Sequence, residues 1–207
     1  EEIGGEAGAA KIAEHLHNQG VRIGLALDEG GAITQGIVPG VEQPVASLML
    51  AEKGYLSLEL IARATGGHSS IPDELTAVGA LSAAVAAVAA KPMPARITPP
   101  VLAGLEALLP HRPWIERVAI ANPSLFAPLL LGAMSKNPVS NALIRTTTAP
   151  TMLRAGIKDN VLPSEASAVI NFRLLPGDDA DSVQAHVREA INNLVKGIES
   201  GQFQPQE

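Results

Sequence analysis

Two stretches of the chain alternate strictly enough to be strands with one buried face each. Over residues 55–65, Leu56, Leu58, Leu60, Ala62 and Ala64 share a face, while Ser57, Glu59, Arg63 and Thr65 take the other. Over residues 166–175, Ala166, Ala168, Ile170, Phe172 and Leu174 point one way, and Ser167, Asn171 and Arg173 point the other. A helical pattern follows each. Leu75, Val78, Leu81, Val85 and Val88 recur at three and four in an alanine-rich run, with Pro72 placed to open the first turn. Val183, Val187, Ala190, Ile191, Leu194 and Val195 form the stripe of a second helix, for which Asp181 is the expected cap. A threonine-rich strand over 144–154, a turn at 155–160 and a last strand near the end complete the set. The order is β-α-β-β-α-β, a ferredoxin-like arrangement with a four-stranded antiparallel sheet and two helices on one face. Its open face and helix edges are available for pairing with a second copy.

One titratable side chain stands at a handover inside this unit. The run Gly66-Gly67-His68-Ser69-Ser70-Ile71-Pro72 links the first strand to the first helix, so His68 is displayed, not packed. It reads equally as a functional imidazole or as a solvated loop histidine. Residues 95–141 are punctuated by prolines and contain helical pieces at 101–109 and 125–134, which makes them a helical insertion and not part of the sheet. Trp114 and Phe126 are expected in its local core, with His111 at the surface. His186 lies beside an apolar stripe and reads as structural.

The remainder, residues 1–52, has the text of part of an α/β domain. Ala9, Ile12, Ala13 and Leu16 mark the expected buried side of a helix that Gly20 ends. Short apolar runs at 21–27 and 45–50 are expected strands. Two acidic pairs, Glu1-Glu2 and Asp28-Glu29, stand next to glycines. Taken singly each reads as a solvated turn; converging carboxylates would call for a divalent cation or a shared proton. There is no cysteine, so any metal must be held by His, Asp or Glu. A net charge of −6 with interspersed signs gives no basic surface for nucleic acid. No apolar run reaches membrane-span length, nothing at the start resembles a signal peptide, and the compartment is left open.

Four motifs then appear in order: Glu1-Glu2-x-Gly4-Gly5, Asp28-Glu29-Gly30-Gly31, Gly67-His68-Ser69-Ser70-x-Pro72 and Asn160-Val161-x-Pro163. As a set they resemble the metal-dependent aminoacylases and carboxypeptidases that include acetylornithine deacetylase, succinyl-diaminopimelate desuccinylase and Gly-X carboxypeptidase. The runs 141–148 and 169–173, with the helical insertion, are similar to the Gly-X carboxypeptidase and N-acyl-amino-acid hydrolase branch. The resemblance implies a hydrolase that cleaves the amide bond of N-acyl amino acids or short peptides with a free carboxylate, using two zinc ions. It implies that Glu1 moves a proton at the reacting water, that Glu2 and Asp28 ligate metal, and that His68 stabilises an oxyanion in the partner of a homodimer. Asn160 and Arg173 would hold the substrate, Arg173 by gripping a carboxylate.

The resemblance also divides the chain. Residues 1–52 correspond to part of a catalytic domain, 53–198 to a lid and dimerisation domain, and 199–207 to a return toward the catalytic part. The family's upstream His-x-Asp motif, its metal-bridging Asp and a downstream ligand His have no counterpart in this sequence, so the chain alone is expected to be inactive. Two other readings remain at this point: a non-catalytic dimerisation module, and an amino-acid-binding ferredoxin-like domain.

Overall fold

The computed structural model describes residues 5–25, 31–38, 40–195 and 203–206, with backbone alone for 193–195 and 203–206. In chain order its elements are α1 (Ala9–Asn18), β1 (Ile33–Thr34), β2 (Val45–Ala46), β3 (Gly54–Arg63), β4 (Gly67–His68) and α2 (Ala77–Ala90). There follow α3 (Pro99–Ala107), α4 (Trp114–Ala121), α5 (Pro123–Met134), α6 (Pro138–Ile144), β5 (Thr147–Ala155), β6 (Val161–Leu162), β7 (Glu165–Leu174), α7 (Ala180–Val195) and β8 (Phe203–Gln206). By its contacts the chain divides into two units, Glu1–Thr34 with Pro44–Met49, and Gln35–Gln43 with Leu50–Glu207.

The smaller unit has little interior. α1 forms where expected, but none of its residues is buried and Ile12 is 61% exposed. Residues 21–25 form no strand and are exposed; the rest of the run expected at 21–27 lies outside the described residues. The strand expected at 45–50 shortens to β2, which pairs antiparallel with β1. An apolar run becomes a buried strand only when neighbours cover it, and no described neighbour does so here. Gly31, at φ +85°, is needed at this ladder, because a Cβ there would collide with the Ser47 carbonyl.

In the larger unit the sheet order is β5-β7-β3-β8, with every neighbour antiparallel. These are the second, third, first and fourth strands by appearance, the order a β-α-β-β-α-β chain gives when β3 and β7 pair at its centre. The parity read from the sequence decides which face is dry. Leu58, Leu60 and Ala62 of β3 and Ala166, Ala168, Ile170 and Phe172 of β7 are buried together. Ala77, Ala80, Leu81, Ala84 and Val88 of α2 and Val183, Val187, Ala190 and Ile191 of α7 close over them. The many alanines let both helices lie near the strands, and Phe172 is the one aromatic in that core among the described residues.

Three local expectations are corrected. Thr76 caps α2, accepting from the Gly79 N–H at 3.1 Å, so the helix starts well after Pro72 and turns Val78 outward, 41% exposed. Asp179, not Asp181, caps α7. Its carboxylate accepts the Ser182 N–H at 2.8 Å, and the Ser182 hydroxyl donates back to the Asp179 carbonyl at 2.8 Å. Asp181 sits in the first turn, where its charge still favours the helix dipole. Trp114 is 74% exposed and is not core; α4 buries Ala119 and Ile120 instead. Prolines open α3, α5 and α6, which is how the punctuated sequence becomes helices.

Candidate functional site

Glu1, Glu2 and Asp28 lie outside the described residues, so three of the six expected site residues have no geometry here. Among the described residues no three His, Asp or Glu side chains gather as a metal would need. His68, Asn160 and Arg173 are all placed.

Beyond the end of β3, the chain forms a second, two-stranded ladder in which Gly67 pairs Leu162 and His68 pairs Val161. The Ser69 N–H donates to the Asn160 carbonyl at 3.2 Å, so the His68 link and the Asn160 turn are stitched together. Gly66 makes this close approach feasible: an added Cβ would stand 3.1 Å from the Leu162 carbonyl. His68 is exposed, yet one of its nitrogens is engaged. The Ser70 N–H donates to Nδ1 at 3.2 Å, and the Ser70 hydroxyl lies 2.8 Å from the same nitrogen. A backbone N–H can only donate, so Nδ1 is the acceptor, and the neutral ring carries its proton on Nε2. An imidazole held in this way offers an N–H to anything negative in front of it. The arrangement leaves the His68 Nε2–H free to donate, with Asn160 beside it.

Arg173 is elsewhere. It stands near the C-terminal end of β7, opposite Tyr55 on one side and Thr147 on the other. The His68 ladder adjoins the other end, where Glu165 pairs Arg63. From Glu165 to Arg173 is eight steps along a strand, about 26 Å at roughly 3.3 Å per residue. Within one chain, therefore, His68 and Asn160 come together and Arg173 does not join them.

Sequence reasoning missed the surroundings of Arg173. Its guanidinium carbon lies over the Tyr55 ring, 5.0 Å from the centroid. Lys53 donates to the carbonyls of Ala142 at 2.9 Å and Arg145 at 2.8 Å. Burial pushes Lys53 below the usual lysine range; Asp178 opposes that shift and Arg173 adds to it. Asp178 is already committed, to Arg96 at 2.7 Å and to the Thr146 hydroxyl. Two other positions turn out to be structural. His186 donates from Nε2 to the Lys91 carbonyl at 2.8 Å, beyond the end of α2. Arg145 donates to the Met93 carbonyl at 3.0 Å and to Ser135 at 2.9 Å.

Residues 50–199 match the peptidase dimerisation domain family. The chain is 38% identical to N-fatty-acyl-amino acid synthase/hydrolase PM20D1 of Bos taurus, over 94% of this chain and 41% of that protein. It is 37% identical to probable carboxypeptidase S-like 2 of Dictyostelium discoideum, over 93% of this chain and 37% of that one. A solved structure, the M20 family metallo-carboxypeptidase Sso-CP2 from Sulfolobus solfataricus, aligns with 75% of this chain and 43% of its own. Its TM-score is 0.43 and its identity 20%. The chain thus spans about two-fifths of the length of the curated relatives it matches.

Proposed function

Since this chain belongs to the peptidase dimerisation domain family, we propose that it is the pairing and lid part of a longer homodimeric hydrolase. That enzyme cleaves the amide bond of N-acyl amino acids or short peptides with a free carboxylate. The boundaries read from the sequence, 1–52, 53–198 with the insertion at 95–141, and 199–207, belong to the same proposal. The family implies a metal, which we take to be two zinc ions in the longer enzyme. Glu2 and Asp28 are the side chains of this chain that would hold it, and Glu1 would move the proton. The described residues by themselves make no site for it.

The observation that carries the reading is the separation of His68 from Arg173. An oxyanion donor and a carboxylate grip must both touch one small substrate, whose reacting carbonyl and carboxylate lie only a few bonds apart. Donors at opposite ends of a strand run of about 26 Å cannot both reach it. They can if each active site takes Arg173 from its own chain and His68 with Asn160 from the partner. The chain enters the sheet at Gly54, opposite Leu174 and one rung from Arg173. The pairing surface has support as well. β5 is an edge strand with Leu153 exposed, and α2 turns Val78, Ser82, Ala86 and Ala89 outward, a stripe small enough for close helix approach.

Subunit mixing tests this. In the longer enzyme, His68→Ala and Arg173→Ala homodimers should each lose most activity. A mixed dimer of the two keeps one site with both groups intact, and should recover close to half of the wild-type rate. No recovery in verified mixed dimers would mean that both residues serve the same chain's site.

A further inference from the structure

Arg173 is exposed on the open face of the sheet, and none of its N–H groups has an acceptor among the described residues. Most long side chains with five donors in that position would sample many rotamers. Arg173 is instead placed by its cross-strand neighbour. Register sets Tyr55 directly opposite, and the guanidinium lies over the ring face at 5.0 Å. The ring is itself braced. The Ser57 hydroxyl donates to the Tyr55 oxygen at 3.3 Å, and the Asn171 amide donates to Ser57 at 3.2 Å and to the Leu56 carbonyl at 3.3 Å. Asn171 is the cross-strand partner of Ser57, so the brace is the next rung on the same face of one ladder.

We propose that Tyr55 is a positioning residue for the substrate's carboxylate, holding the Arg173 guanidinium by its π face so that the in-plane N–H donors remain free to grip it. Local charge agrees with an anionic occupant. Lys53 feels the positive charge of Arg173, and the carboxylate that acts on Lys53, Asp178, is taken by Arg96 and Thr146. The patch therefore carries unmatched positive charge in a chain whose net charge is −6. Ser57 and Asn171 act one step further back, by keeping the ring where the register puts it.

The inference rests on the role given to Arg173 above, and the test separates the two. Tyr55→Leu, Tyr55→Phe and Arg173→Ala are made in the longer enzyme, and melting temperatures confirm that each folds. A substrate with a free carboxylate is compared with its carboxamide. Tyr55→Leu should raise KM for the carboxylate about two- to fivefold, the size of an exposed cation–π contact, with kcat nearly unchanged. KM for the carboxamide should not move, and Tyr55→Phe, which keeps the ring but loses the Ser57 brace, should recover most of the wild-type value. Unchanged KM in Tyr55→Leu while Arg173→Ala raises it overturns the role of Tyr55 and leaves that of Arg173. An equal KM rise for carboxylate and carboxamide overturns it too, since it would show loosening of the sheet and not loss of a carboxylate grip. Silence of Arg173→Ala removes the reading of Arg173, and the inference falls with it.

Discussion

A histidine that donates to a developing negative charge must keep its proton on the nitrogen it presents. At His68 that choice is made locally, because the Ser70 N–H occupies Nδ1 and leaves Nε2 as the donor. Nitrogen NMR of this chain, at a pH where the ring is neutral, should show His68 as the Nε2–H tautomer. An Nδ1–H tautomer would remove the geometric basis for its role. Asp179 offers a different check. The Ser182 N–H first, and the Ser182 hydroxyl second, hold its carboxyl below the ordinary aspartate value of 3.8. A depressed folded pKa means that the cap's contribution is present above pH 3.8 and is lost as pH falls through the lower folded value. Thermal melts from about pH 5 down to pH 2 should therefore show a shallower acid decline in Asp179→Asn than in the parent chain. An identical decline would mean that the cap bond does not survive in solution.

Elements were legible in proportion to how much of their environment lies inside the chain. β3 and β7 follow from parity, because each has one face against helices that the same sequence supplies. Phe172 is fully buried at the centre of that face, so Phe172→Ala should cost about 3–5 kcal/mol in a denaturant titration. The apolar pattern of α1 and of the runs at 21–27 and 45–50 predicts packing, yet pattern cannot say what covers it. Trp114 failed for the same reason. Parity also put Tyr55 and Arg173 on the open face, but not opposite each other: strand register depends on the ladder, and no sequence spacing reveals it. The two residues that do meet, His68 and Asn160, were flagged by motif, while their meeting depends on the small β4–β6 ladder. If β5 and α2 form the pairing surface, Leu153→Asp together with Ala86→Arg should convert a dimer to a monomer in light scattering, with the fold kept. A dimer that survives both changes would place the interface elsewhere.

At the scale of the whole molecule, pairing and chemistry have different requirements. The sheet, α2 and α7 carry their own core, so this chain should fold and associate by itself. On the function proposed above, hydrolysis draws on groups of the longer enzyme, so the purified chain should not turn over an N-acyl amino acid even with zinc added. Those two properties would make the chain a probe of the longer enzyme proposed above. In a mixed dimer, the one complete catalytic part would receive His68 from this chain. Excess wild-type chain should then leave the rate per longer subunit near its starting value. Excess His68→Ala chain should lower that rate as mixed dimers accumulate, following the fraction formed, because each such dimer has a site without its oxyanion donor. An imidazole acting on its own chain's site predicts the opposite: the His68→Ala chain would be as harmless as the wild type, however much was added.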